Sequence, residues 1–130
     1  MWWPWRRKIL SRKEIGILGE RHAARALRAA GLTIIEGNFR TKHGEIDLIA
    51  REGEVLVIVE VRTRTGGVNI TPLDSVNDSK QQQIIRMAHH YLRAKHLHDC
   101  AVRFDVVEVI ATPQGSVLDV HHFRGAFGVS

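Results

Sequence analysis

Gly44-Glu-Ile-Asp-Leu-Ile-Ala-Arg-Glu-Gly-Glu-Val-Leu-Val-Ile-Val-Glu-Val-Arg-Thr63 is the stretch on which the fold turns. Two β-rich runs, residues 45–51 and 54–63, stand either side of Glu52-Gly53, and such runs around a glycine turn predict a hairpin. From Val55 to Val59 every residue is apolar, so the second run is expected to be covered on both faces at the centre of a sheet. With Glu52-Gly53 as the turn, Arg51 opposes Glu54, Asp47 opposes Ile58 and Glu45 opposes Glu60. Alternation then puts Glu45, Asp47, Ile58, Glu60 and Arg62 on one face. Asp47 and Glu60 become diagonal neighbours, roughly 7–8 Å apart at the backbone. A register slip of one residue would send them to opposite faces.

A carboxylate on a strand of valines needs a cation, a hydrogen-bond partner or water. Two carboxylates converging beside a basic side chain suit Mg²⁺ or Mn²⁺, hard ions that take oxygen ligands. Such an ion activates water and neutralises charge developing on a phosphate, which is what phosphodiester hydrolysis requires. The same pattern equally fits a Glu60 that pairs with Arg62, Arg64 or Lys42, because ion pairs also place carboxylates in sheets. Glu45 reads either as a further ligand or as the partner of Lys42 or Arg62.

Upstream, Ser11 and Glu14 have the spacing of a capping box, and Ile15, Leu18, Ala23, Ala26, Leu27 and Ala30 recur at helical intervals until Gly31. Glu20 lies beside that apolar stripe, which favours its facing the sheet, although a solvated position is also open to it. Residues 32–35 predict a short strand running towards Phe39, and residues 40–44 a basic turn. Downstream, residues 64–78 contain Gly66, Gly67, Asn69 and Pro72 and predict a long loop. A second helix is expected over about 79–95, with Ile84, Met87, Ala88, Tyr91 and Leu92 inward. Residues 102–110 and 117–123 predict two more strands joined by a turn at 112–115. The order α-β-β-β-α-β-β implies an α/β domain, a mixed sheet flanked by helices. Residues 1–10 read as a flexible basic and aromatic tail, and residues 11–130 as one domain.

The chain has 130 residues, 44% of them hydrophobic and 25% charged, the composition of a globular domain with one core. Its net charge of +5 points to a polyanionic partner. The single cysteine, Cys100, excludes an intrachain disulfide framework and fits a reducing compartment. No apolar run approaches the ~18 residues of a membrane span, and the start has aromatic residues before its charges, unlike a signal peptide. A cytoplasmic protein with no membrane partner is expected.

Gly19-Glu20, Asn38-Phe-Arg40, Gly44-Glu-Ile-Asp-Leu-Ile49 and Val59-Glu-Val-Arg62, followed by Lys80-Gln-Gln, Ala88-His-His-Tyr-Leu92 and Arg103-Phe-Asp-Val-Val107, resemble in their order the bacterial YraN-like family of putative endonucleases. The likeness covers about residues 11–127. That family is similar in plan to archaeal Holliday-junction resolvases and to the PD-(D/E)xK superfamily. The resemblance implies a restriction-endonuclease-like fold. It implies that Asp47 and Glu60 are metal ligands and that Glu20 is the additional acidic residue of resolvase-like members. Arg62 stands where the superfamily usually has lysine. Arginine stays protonated, so it can orient water or stabilise charge but cannot exchange a proton.

Arg40, Lys42, His43, Arg62, Arg64 and Lys80 are expected around the mouth of the site, as contacts to a DNA backbone. Lys80 and Gln81 open the second helix, whose free N–H groups can hold a phosphate; a merely polar first turn fits as well. His96-Leu-His98-Asp-Cys100 has only part of a zinc spacing, and structural zinc needs four ligands. Trp2, Trp3 and Trp5 beside Arg6, Arg7 and Lys8 could stack on bases, sit at a membrane interface or form a free tail. The expected function is a Mg²⁺- or Mn²⁺-dependent DNA endonuclease acting on branched or structured DNA. The alternative is a DNA-binding protein that keeps the fold and cleaves poorly. Cutting both strands of a symmetric junction would favour a homodimer.

Overall fold

The computed structural model describes residues 8–66 and 76–128; the three tryptophans and residues 67–75, within the stretch expected to be a loop, lie outside them. Within this span the order is α1 (Arg12–Ala29), β1 (Thr33–Thr41), β2 (Gly44–Glu52), β3 (Val55–Thr65), α2 (Asp78–Ala94), β4 (Ala101–Ala111) and β5 (Val117–Phe127). The strands form one sheet in the order β1-β2-β3-β4-β5. Only β3 and β4 run parallel, and α2 lies between them in the chain. This is the expected α/β architecture. Among the described residues no helix is long and apolar enough to cross a membrane.

Each element ends for a local reason. Ser11 caps α1 reciprocally: its hydroxyl accepts from Glu14 N–H at 3.1 Å while Glu14 Oε1 accepts from Ser11 N–H at 3.0 Å. Asn77 caps α2 by accepting from Lys80 N–H at 2.9 Å. Leu10 N–H donates to Pro113 O at 2.8 Å, tying the chain before α1 to the β4–β5 turn. The last strand runs four residues past the predicted end at Phe123. Between the pairs Val106↔Phe123 and Phe104↔Phe127 the register slips, where Gly125 has φ +58°. This bulge lets β5 continue alongside β4.

The hairpin turn differs from the one expected. Glu52 pairs with Val55, so the loop is Gly53-Glu54, with Gly53 at φ +58° in its first position. A glycine serves the first position of a two-residue loop as well as the second, and the register moves by two residues. Leu48 faces Val59, which brings Asp47 level with Glu60 rather than with Ile58. A shift of two preserves faces, but a second irregularity does not. Leu48 and Ala50 pack in the α1-side core, as alternation requires, yet Ile46 joins Ile49 in the α2-side core. The pleat of β2 therefore loses phase at Asp47.

Two cores cover the two sheet faces. Ala23 and Leu27 of α1 pack on Leu48, Val57, Val59 and Val107. Ile84, Met87 and Tyr91 of α2 pack on Ile49, Ile58, Phe104 and Val106. Contact at Gly19 is close: a Cβ there would lie 1.8 Å from Thr63 Oγ1. The next residue on α1 is Glu20, so this approach seats Glu20 over the end of the sheet.

Candidate active site

Asp47 is the hub. Beyond the Leu48↔Val59 pair the β2–β3 ladder stops, and Asp47 Oδ2 takes the N–H of Val61 at 2.8 Å in place of a strand carbonyl. The lost pleat phase sends its neighbours to different sides. Glu45 turns towards α1, where one carboxylate oxygen each from Glu20, Glu45 and Asp47 lie within 4.8 Å of one another. Glu60 follows Ile58 onto the α2 side of β3, close enough to Asp47 to feel its charge. The expectation of a single shared face is thus corrected: Glu20 and Glu45 approach Asp47 from one side and Glu60 from the other.

The electrostatics follow from this crowding. Burial first, and the Asp47 charge second, push the Glu60 carboxyl up to about 7, against the pull of Lys80 and Arg62. Burial also raises Asp47, opposed by the Val61 N–H. Glu20 is raised by burial and then by Asp47, and its hydrogen bond with Asn38 works the other way. Asn38 itself sits at φ +54°, a conformation asparagine tolerates better than most residues. Neighbouring carboxylates that resist ionising together form a site that a hard cation would relieve, and oxygen donors at this spacing fit Mg²⁺ or Mn²⁺.

The basic residues divide. Arg62 Nε lies 3.5 Å and Lys80 Nζ 3.9 Å from Glu60 Oε1, so both stand at the site. Arg40 pairs with Glu45 at 3.1 Å, taking the role expected of Lys42 or Arg62. Lys42 is exposed on the β1–β2 turn. His43 stacks on His90 with ring centroids 5.1 Å apart, and its carbonyl accepts from Gln83 Nε2 at 3.2 Å. Arg64 is turned inward on Glu108 at 3.1 Å, and Gln81 Nε2 donates to Val76 O at 2.9 Å. These three side chains are engaged within the fold rather than spread around the mouth.

Two groups escaped the sequence reading. Glu108, only 6% exposed, lies beside Arg62 in the β3–β4 register. Asp105 is fully buried and holds Arg103 Nε at 2.9 Å, Gly125 N–H at 2.9 Å and His122 Nε2 at 2.7 Å. Arg103 and Arg124 both reach Glu52, closing this network across β2, β4 and β5. Two acids inside the one apolar run of β4 were the available signal.

The model of the Uncharacterised protein family UPF0102 matches residues 19–109. A UPF0102 protein of Rhodococcus opacus is 45% identical over 113 residues, covering 87% of this chain and 95% of its own. A UPF0102 protein of Dictyoglomus turgidum is 38% identical over 118 residues, covering 91% of this chain and all of its own. That of Alkaliphilus metalliredigens is 43% identical over 115 residues, 88% of this chain and 98% of its own. The match takes in Glu20, Asp47, Glu60 and Lys80 together with the strands that carry them. This chain belongs to UPF0102, the YraN-like family that its ordered motifs resemble.

Proposed function

We propose that the protein is a Mg²⁺- or Mn²⁺-dependent DNA endonuclease of the cytoplasm that hydrolyses phosphodiester bonds in branched or structured DNA. The observation that carries this is the meeting of Glu20, Glu45 and Asp47 oxygens within 4.8 Å, with the same Asp47 charge bearing on Glu60. Asp47 and Glu20 would hold the ion with Glu60 or Glu45 completing its carboxylate set. When bound, the ion supplies charge neutralisation at the phosphate and activation of water.

The surrounding residues orient this set. Val61 N–H fixes the Asp47 carboxylate, Asn38 holds Glu20, and Arg40 holds Glu45. Arg62 and Lys80 place a guanidinium and an ammonium beside Glu60, where charge on a transferring phosphoryl group would be met by preorganised cations. The superfamily's strand lysine is absent at position 62, and Lys80 brings an amine from α2 instead. Glu60, with its carboxyl near 7, can hold or release a proton at neutral pH.

The test is incubation of purified protein with linear, flapped, gapped and four-way-junction DNA in Mg²⁺ or Mn²⁺. The expected result is cleavage of at least one branched substrate, reduced by on the order of 10²-fold or more in Asp47→Ala and in Glu60→Ala. The second reading is a DNA-binding protein with a silent site, favoured by Arg62 in place of lysine. Binding without cleavage on every substrate would select it, and Arg62→Lys would then be the variant to assay for recovered activity.

A further inference from the structure

Helix α1 contains two glycines, and only one has a packing reason. A glycine inside a helix costs ~1 kcal/mol relative to alanine. At Gly19 the cost is compelled, because Thr63 leaves no room for a Cβ. At Gly16 an added Cβ would meet nothing within 4 Å. Gly16 stands one turn before Glu20, so the two share a face of α1.

That face separates two clefts. One, of about 230 Å³, lies between α1 and β3, with Arg12 on its helix wall and the strand backbone of Val61, Arg62 and Thr63 opposite, the Arg62 guanidinium being turned to Glu60. The second, of about 330 Å³, lies between α1 and the β1–β2 hairpin and carries Lys13 and Arg40. Gly16 and Glu20 line both. Gly16 is therefore the low point of the ridge between them, one helical turn from the carboxylate cluster. Each cleft has a basic residue of α1 on its wall, and in the second Arg40 stands opposite, paired with Glu45. Arg12 and Lys13 are exposed, and neither makes an ion pair with any described residue.

We propose that a nucleic-acid strand crosses α1 at Gly16, its sugar–phosphate backbone passing from one cleft to the other beside Glu20. This rests on the nuclease reading above and adds the path of the substrate. The missing side chain is the opening, and Arg12, Lys13 and Arg40 neutralise phosphates on either side of it. A side chain at position 16 would fill the opening, and its Cβ meets no neighbour within 4 Å.

Binding of a fluorescein-labelled four-way junction and of a labelled single strand, in Ca²⁺, is compared for the full-length wild type, Gly16→Ala and Gly16→Leu. Thermal melting and cleavage in Mn²⁺ are followed in parallel. The path predicts that both variants melt at or above the wild-type temperature, since each gains helix propensity. It predicts that Gly16→Leu loses at least about tenfold in affinity, and Gly16→Ala distinctly less. Joint reversal of Arg12 and Lys13 to Glu should weaken binding and flatten its salt dependence, a readout that does not depend on position 16. A folded Gly16→Leu that binds and cleaves like the wild type overturns the path and leaves the nuclease reading standing. Loss of binding in Gly16→Leu, beside a wild type that binds but never cleaves, keeps the path and removes the nuclease. A wild type that binds neither DNA overturns both.

Discussion

Glu60 and Asp105 look alike in the sequence, each an acid flanked by apolar residues of a strand, yet the fold treats them oppositely. Asp105 sits level with Val59 and Glu60 level with Val106 on neighbouring strands. Burial would raise both. For Asp105, hydrogen bonds from Arg103, Gly125 N–H and His122 outweigh it and hold the carboxyl below its ordinary 3.8. Among the described residues Glu60 faces cations at 3.5 and 3.9 Å, beside another carboxylate, and rises from 4.5 to about 7. One acid is fully satisfied and structural; the other is left short of partners where a ligand would complete it. A depressed carboxyl gives stability that is present above its unfolded value and lost as pH falls through the folded one. Acid unfolding should therefore begin at higher pH in Asp105→Asn than in the wild type, as followed by circular dichroism. Asp105→Ala should cost about 3–5 kcal/mol in denaturant titrations, because it takes the buried acceptor from Arg103, Gly125 N–H and His122 at once. A raised carboxyl acts in the other direction: folding favours its protonated form, so stability falls as pH climbs from about 4.5 to about 7. In metal-free protein the melting temperature should decline over that window, and Glu60→Gln should flatten the decline. An identical slope in both proteins would refute the assignment. The distinction between the two acids was not legible in the sequence, because two of the partners of Asp105, His122 and Gly125, come from β5, seventeen and twenty residues further on.

The hairpin and the helix that faces it decide whether the carboxylates meet. The apolar run of β3, the capping box of α1 and the α-β-β-β-α-β-β order were all legible, because each rests on local periodicity or a cap of fixed spacing. The Gly53-Glu54 loop and the loss of pleat phase at Asp47 were not. A single glycine does not say which loop position it takes, and the phase change depends on the Asp47 side chain replacing a ladder carbonyl. Glu45 consequently moved from an ambiguous surface acid to a member of the cluster. The seat of Glu20 depends on the contact between Gly19 and Thr63. Gly19→Ala should lower the melting temperature and the affinity for Mn²⁺ together, by forcing α1 off β3. Adding Thr63→Ala, which removes the nearest atom, should recover part of both losses, and a double-mutant cycle measures the coupling. Strictly additive effects would mean that the helix is seated by other contacts.

Taken whole, the molecule joins a net charge of +5 to an acidic centre, an arrangement that suits a polyanion approaching through a bound cation. DNA binding should accordingly weaken steeply between 50 and 200 mM salt, by on the order of 10-fold or more, if several phosphates are contacted. Affinity that is flat in salt would mean that the basic rim does not carry the interaction. The most direct test of the account is calorimetric titration of Mn²⁺ into metal-free wild type and Asp47→Asn. Saturable binding that Asp47→Asn weakens by at least about tenfold, with both proteins melting as folded domains, is the predicted result. No binding to the wild type, or equal binding to both, would contradict a metal centre built around Asp47.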